Sequence, residues 1–439
     1  MRTKFLLGIA VLACAGTAAW FGVQHRAMAQ DAPAQMVHSL AAAAGPAAEA
    51  VERGRYLARA GDCIACHTAQ GGQPFAGGLA IDTPFGKIVA SNITPDKQTG
   101  IGDWSEAEFI RAVKQGVGKH GEYLYPAMPY TAYAKVSDQD LRDIKAYLDT
   151  VPAVNNKVEA NRLPFPFNIR LLMFGWNLLF FDKTPFKADP KQSVEWNRGA
   201  YLVQGLGHCA SCHTPKNFLG GDGAALQGGE LQGWYAPEIS GNTHVGLGGW
   251  SVDDIAAYLK NGGNDRSVAS GPMAEAVTDS TQYLTQADLR AIGVYLKSFP
   301  GSDKAAPATL DAGSEPMRLG HQVFLSNCAA CHRSNGTGVP AMVSSLSASA
   351  GVQQPNPANL LRTILIGSRG AVTESNPTGA AMPNFSWKLS DAEVAAVATY
   401  VRNSWGNAAD AVTAEQAGKA RASLGARPVV TMTATAAAH

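Results

Sequence analysis

The pattern Cys-x-x-Cys-His occurs three times in this chain, as CIACH (Cys63 to His67), CASCH (Cys209 to His213) and CAACH (Cys328 to His332). Each copy has the chemistry for covalent haem: two thiols add across the vinyl groups as thioethers, and the adjacent His offers a nitrogen to the iron. A group fixed at three separated points must be enclosed three times, so the chain is constrained to small compartments rather than one large core. Other readings of CxxC fit poorly. A structural zinc site needs two Cys/His pairs converging on one metal, whereas here each pair has a His fused to its second Cys. A thioredoxin-like pair wants a βαβ context, and the surroundings of all three motifs read as helical and Gly-rich. Of seven Cys, only Cys14 lies outside the motifs.

Cys14 belongs to a segment that reads as an export signal. Residues 1–29 begin MRTKF, run apolar from Leu6 to Val23 and end in Ala27-Met28-Ala29, a small-x-small cleavage site. Retained, the run would be just long enough to span a bilayer, and VLAC around Cys14 resembles a lipobox in which Leu12 fits poorly. Export suits c-type haem, and places the mature protein on the periplasmic side of the bacterial cytoplasmic membrane. Cleavage takes Arg2, Lys4 and Arg26 and no acid from a formal net charge of +1. The remainder is slightly acidic, so no basic surplus points to nucleic acid.

The surroundings of the motifs repeat as well. An Arg/Gly-bearing helix precedes each motif: Arg53-Gly54-Arg55-Tyr56-Leu57, Arg198-Gly199-Ala200-Tyr201-Leu202, and Arg318-Leu319-Gly320. An irregular stretch follows, and then a helix led by Trp104-Ser105, Trp250-Ser251 or Asn356-Pro357. Each unit closes with a helix led by Ser137, Thr285 or Ser390, which are good N-caps. Closely crossed first and last helices are expected, with Gly54, Gly199 and Gly320 permitting the approach and Tyr147, Tyr295 and Tyr400 packing into it. The predicted class is all-α, three tandem cytochrome c-like domains. Their predicted bounds are 46–155, 191–300 and 317–407, with a connector at 156–190, a linker at 301–316 and a tail at 408–439.

Each unit also places a Met in a Pro-rich segment read as non-helical: Met128, Met273 and Met382. They follow the motif histidines His67, His213 and His332 by 61, 60 and 50 residues (128 − 67, 273 − 213, 382 − 332). A lone Met is usually core filler, but three in one slot of three repeats read as distal iron ligands. The expected site is therefore three c-type haems, held by Cys63/Cys66, Cys209/Cys212 and Cys328/Cys331, with His67/Met128, His213/Met273 and His332/Met382 as axial pairs. Thioether ligation raises the potential and closes the sixth position.

Leu163 to Phe181 (LPFPFNIRLLMFGWNLLFF) carries one charge, Arg170, and is broken at Pro166. It reads as a buried strap or as a sticky surface for a partner or membrane face. Gly116-Val-Gly118-Lys-His-Gly121 matches GxGxxG but follows a helix, so it is not a dinucleotide turn. His120, His208, His244 and His321 read as surface or loop residues, with His208 necessarily near the second motif. Thr413 and Gln416 form a capping-box pattern in the tail.

The stretches GDCIACHT, FAGGLAIDTPFGKIVASNITPD, YPAMPY, WNRGAYLVQGLGHCASCHTPKNF and CAACHRSNGTG resemble the three-haem cytochrome c subunits of membrane-bound periplasmic dehydrogenases, those that oxidise alcohols, aldehydes, gluconate or fructose and reduce quinone. The resemblance covers nearly the whole mature chain. It implies an electron-transfer subunit that carries electrons from a separate dehydrogenase catalytic subunit to membrane ubiquinone, with a small subunit and the membrane surface as further partners. It also implies that Asn92, Thr94 and Asn242 lie in loops by the haem edge. No nicotinamide, flavin or molybdenum site is recognisable, which puts substrate oxidation on another chain. The alternatives are a free-standing or oxidase-linked multihaem shuttle, and a c-type haem enzyme such as a peroxidase. The second needs an open iron site, against which the three Met argue.

Overall fold

The computed structural model describes residues 45–425. The export segment, Cys14 and the C-terminal VVTMTATAAAH lie outside the described residues. Three helix pairs organise the rest. Opening helices Pro46–Ala60, Val194–Gln204 and Glu315–Asn327 pack against closing helices Asp138–Leu148, Gln286–Lys297 and Asp391–Arg402. Ser137, Thr285 and Ser390 cap the closing helices, each side-chain oxygen accepting the backbone N–H three residues on. Ser105 and Ser251 cap the intermediate helices in the same way, with full capping boxes to Glu108 and Asp254.

The crossings are backbone-to-backbone. A Cβ at Gly54 would stand 1.8 Å from the Asp143 carbonyl oxygen, one at Gly199 1.9 Å from that of Ala291, and one at Gly320 2.2 Å from that of Ala396. Tyr295 and Tyr400 lie beside the second and third crossings, their Cβ atoms 2.9 and 2.6 Å from the same hypothetical positions. The obstacle is main chain, which no rotamer change relieves. Gly199→Ala is therefore expected to cost roughly 3 kcal/mol or more, read as a lower urea midpoint at unchanged slope. An unmoved midpoint would show that the helices can separate without penalty.

The all-α expectation needs amendment, because three small antiparallel hairpins accompany the helices. Ala80–Thr83 pairs with Gly86–Val89, Gly229–Leu231 with Trp234–Ala236, and Ser368–Arg369 with Ala381–Met382. The second turns on Gln232 and Gly233, both at positive φ (51° and 75°), the backbone of a type I′ hairpin turn. Such strands are too short to show period-two patterning in the sequence.

The units are also not equally separate. One continuous apolar core joins Leu57, Val136, Leu141, Ile144 and Leu148 of the first unit to Leu202, Leu206, Leu289, Ile292 and Leu296 of the second. The third unit has its own core around Phe324, Leu365, Val394 and Val401. Its extent exceeds the predicted end at 407: helix Ala414–Ser423, capped by Thr413 and Gln416, buries Ala417 in that core. Contact between the second and third units is largely polar. The Asn359 side chain exchanges hydrogen bonds with both backbone groups of Tyr235 (2.8 and 2.7 Å), and the Arg362 guanidinium lies 4.6 Å from the Trp234 ring.

Candidate haem-attachment sites

Each Cys-x-x-Cys-His motif forms one short helical turn directly after its opening helix: Cys63–Cys66, Ala210–His213 and Ala329–His332. Asp62 and His208, at positive φ (50° and 35°), bend the chain into the first two. All six motif thiols are free of disulfides. Burial pushes Cys63 and Cys209 up to about 12 and Cys66 and Cys328 up to about 11. They are neutral thiols at any physiological pH.

The ring nitrogen Nδ1 of His67 lies 2.7 Å from the Ser91 carbonyl oxygen, that of His213 2.7 Å from Pro237, and that of His332 3.3 Å from Ser344. A carbonyl has no proton to give, so Nδ1 is the protonated nitrogen and Nε2 keeps its lone pair. Burial holds all three imidazoles below the ordinary histidine range, against the opposing effect of the carbonyl. The result is a neutral ring with one oriented, unprotonated nitrogen, the form a metal ligand needs. The hairpins explain the first two acceptors: Ser91 and Pro237 follow strands Gly86–Val89 and Trp234–Ala236. Backbone acceptors carry no sequence signature, so these partners were invisible in the residues.

The three Met differ more than their spacing suggests. Met128 sits in a turn, as expected, and packs on the core that Cys63 also contacts. Met382 is not in an irregular loop: it is a strand residue opposite Ser368, in the same core as Cys328. Nor is Met273, which occupies the first turn of helix Pro272–Asp279 and packs with Ala269, Ala274, Val277 and Ala371. That small cluster is distinct from the core beside Cys209, and Ala371 comes from the third unit. Proline at the first helical position starts a helix as readily as it stiffens a loop, which is why the sequence misled here. The structure thus brings thiol and thioether to a common core in the first and third units and sets Met273 in a cluster of its own.

A thiol pair about one turn apart and an imidazole with a free Nε2 fit covalent c-type haem at all three motifs, and a partly buried thioether in the same core completes the donor set in the first and third units. Residues 51–152 and 317–405 match the cytochrome c family. Over 395 residues the chain is 40% identical to the gluconate 2-dehydrogenase cytochrome c subunit of Pantoea cypripedii, covering 84% of this chain and 89% of that one. It is 39% identical over 377 residues to the cytochrome c subunit of the quinone alcohol dehydrogenase of Gluconobacter oxydans (81% and 79% covered). It is 37% identical over 404 residues to the fructose dehydrogenase cytochrome subunit of Gluconobacter japonicus (85% and 82% covered). The chain belongs to the cytochrome c family.

In this cytochrome, Asn92, Thr94 and Asn242 are buried, but their polar groups are spent within the protein. Asn92 Nδ2 donates to Thr99 Oγ1 and the Val154 carbonyl (3.0 and 2.8 Å), and Asn242 Nδ2 to the Ser302 and Lys304 carbonyls (2.9 and 3.0 Å). They tie the loops after the hairpins to the segments that leave each unit. Two features escaped the sequence reading. Asp62 is pushed up to about 8 by burial and by Asp279 and Glu275 of the second unit, and its Oδ1 is buried with no hydrogen-bond partner among the described residues. The tyrosines Tyr56 and Tyr201, at one position of the repeat, bond across the boundary between units. Their recurrence in RGRYL and RGAYL was the available signal.

Proposed function

We propose that this cytochrome is a three-haem electron-transfer subunit, organised as three tandem cytochrome c-like units. Cys63/Cys66, Cys209/Cys212 and Cys328/Cys331 hold the haems, and His67/Met128, His213/Met273 and His332/Met382 are the axial ligands. It takes electrons from a separate dehydrogenase catalytic subunit, one that oxidises an alcohol or aldehyde, and passes them to ubiquinone at the periplasmic face of the cytoplasmic membrane. The observation that carries this reading is the threefold occurrence of a free thiol pair beside a histidine whose Nδ1 is bonded to a backbone carbonyl. Bound haem supplies reversible one-electron chemistry. The protein's part is to orient each Nε2, bury the group and set its potential.

Among the described residues no helix is long and apolar enough to cross a membrane, so attachment by a surface or through a partner subunit fits better than a span within 45–425. The direct test is the mass of the denatured, matured protein. The expected value is a chain beginning at Gln30 with three haems. Fewer than three on fully matured protein overturns the assignment.

A further inference from the structure

The bonds between the first and second units come in two equivalent sets. The Tyr56 hydroxyl, on the first opening helix, donates to Asp288 Oδ2 (2.6 Å) and accepts the Thr285 backbone N–H (3.1 Å) at the capped end of the second closing helix. The Tyr201 hydroxyl, on the second opening helix, donates to Asp140 Oδ2 and accepts the Ser137 N–H (3.0 Å) at the capped end of the first. Tyr56 and Tyr201 share one place in the repeat, as do Thr285 and Ser137, and Asp288 and Asp140. Each unit thus grips the other by the same handle, as in an approximate two-fold pair. Burial and the neighbouring carboxylate push both phenols up to about 12, so both stay protonated donors.

The first two attachment motifs also meet across this boundary. The Tyr133 hydroxyl donates to the Gly61 carbonyl (2.9 Å), two residues before Cys63, and its ring stands edge-on to His208, the neighbour of Cys209, at 5.8 Å. A Cβ on Gly61 would be 3.4 Å from Leu206. The Cys63–Cys66 turn packs against the second unit's Pro272–Asp279 helix, and the Cys66 thiol is within electrostatic range of Cys212. Among the described residues the third motif bonds to neither of the other two: its unit meets the second through other residues, among them Tyr235, Trp234, the Val268 N–H donating to Ser344 Oγ at 3.1 Å, the Ala341 N–H donating to the Asn264 carbonyl at 3.2 Å, and Ala371 packed beside Met273.

We propose that Tyr56 and Tyr201 are positioning residues that, through Asp288 and Asp140, fix the separation and mutual orientation of the Cys63–His67 and Cys209–His213 motifs, so that chromophores carried there form an electronically coupled pair from which the Cys328–His332 motif stands apart. This deepens the functional reading and rests on haem being attached at both motifs. Electronic coupling falls steeply with distance, so a clasp that holds two motifs close to each other acts on electron exchange without touching either group.

Circular dichroism in the Soret region tests it, because two close, fixed haems give a paired positive and negative band. The matured protein is expected to show this couplet, and Cys328→Ser with Cys331→Ser is expected to keep it. Tyr56→Phe with Tyr201→Phe is expected to reduce it at least twofold while mass still reports three haems. If the double variant does not mature, Tyr56→Phe and Tyr201→Phe singly serve, each with a partial reduction. A wild type with three haems and no couplet overturns the proposal, as does a couplet undiminished in the tyrosine variants or lost with the third motif. Wild-type protein lacking haem at Cys63 or Cys209 overturns instead the functional reading beneath it.

Discussion

Met382→Ala is expected to lower the potential of one haem by on the order of 100 mV and to open that iron to carbon monoxide, as the proposed axial role of Met382 requires. The size follows from axial ligation, the strongest lever a protein has on an iron potential, and thioether favours the reduced metal. The backbone will not collapse into the space. Met382 is paired with Ser368, and Gly367 packs so closely that a Cβ there would lie 2.5 Å from the Met382 carbonyl oxygen. Met128→Ala and Met273→Ala are expected to act alike, each on a different haem. Reduced wild-type protein should bind little carbon monoxide. Strong binding by the undamaged protein would favour the enzyme alternative over the carrier.

The second large effect is expected at the connector. Helix Leu172–Phe180 is held chiefly through Trp176, Asn177 and Phe180: Trp176 donates to the Leu219 carbonyl (2.9 Å), Asn177 accepts the Tyr130 hydroxyl (2.7 Å), and Phe180 packs over Gly221. The same helix shows Phe174 (50% exposed), Leu178 (72%) and Leu179 (72%) to solvent, with Leu171 and Phe218 also exposed. Covering each such side chain in an assembly stabilises it by about 1.5–3 kcal/mol. Phe174→Ser with Leu178→Ser and Leu179→Ser is therefore expected to weaken assembly or membrane retention on the order of a hundredfold or more. All three haems should stay attached and reducible. Quinone reduction should be lost while dye reduction by the catalytic subunit persists. If both activities and the complex survive, the docking surface lies elsewhere.

Cysteine and histidine spacing made the attachment motifs legible, and glycine and cap positions made the helix crossings legible, because these depend on residue type at fixed separations. The strap-or-surface question was not legible: apolar composition is the same whichever way a helix faces, and the structure shows both, anchoring through Trp176 and Asn177 and exposure at Phe174, Leu178 and Leu179. The hairpins and the carbonyls of Ser91, Pro237 and Ser344 were hidden for a related reason, since main-chain partners depend on path and not on side chain. Met273 shows the limit of repeat arithmetic. Nearly equal spacing from the motif histidine put it in register with Met128, yet proline turned one segment into a helix start and left the other a turn.

The core shared by the first two units ties the timing of their maturation together. Residues 46–155 are made first, and with them Leu57, Val136 and Tyr56, whose neighbours Leu202, Leu206 and Asp288 come later in the chain. Until roughly residue 296 exists, the first compartment is a half-built one with an apolar wall open to its surroundings, the state in which chains aggregate. The third compartment closes on its own residues, including the late helix Ala414–Ser423. A chain arrested after its second unit would hold that shared core whole, whereas one arrested after its first would not.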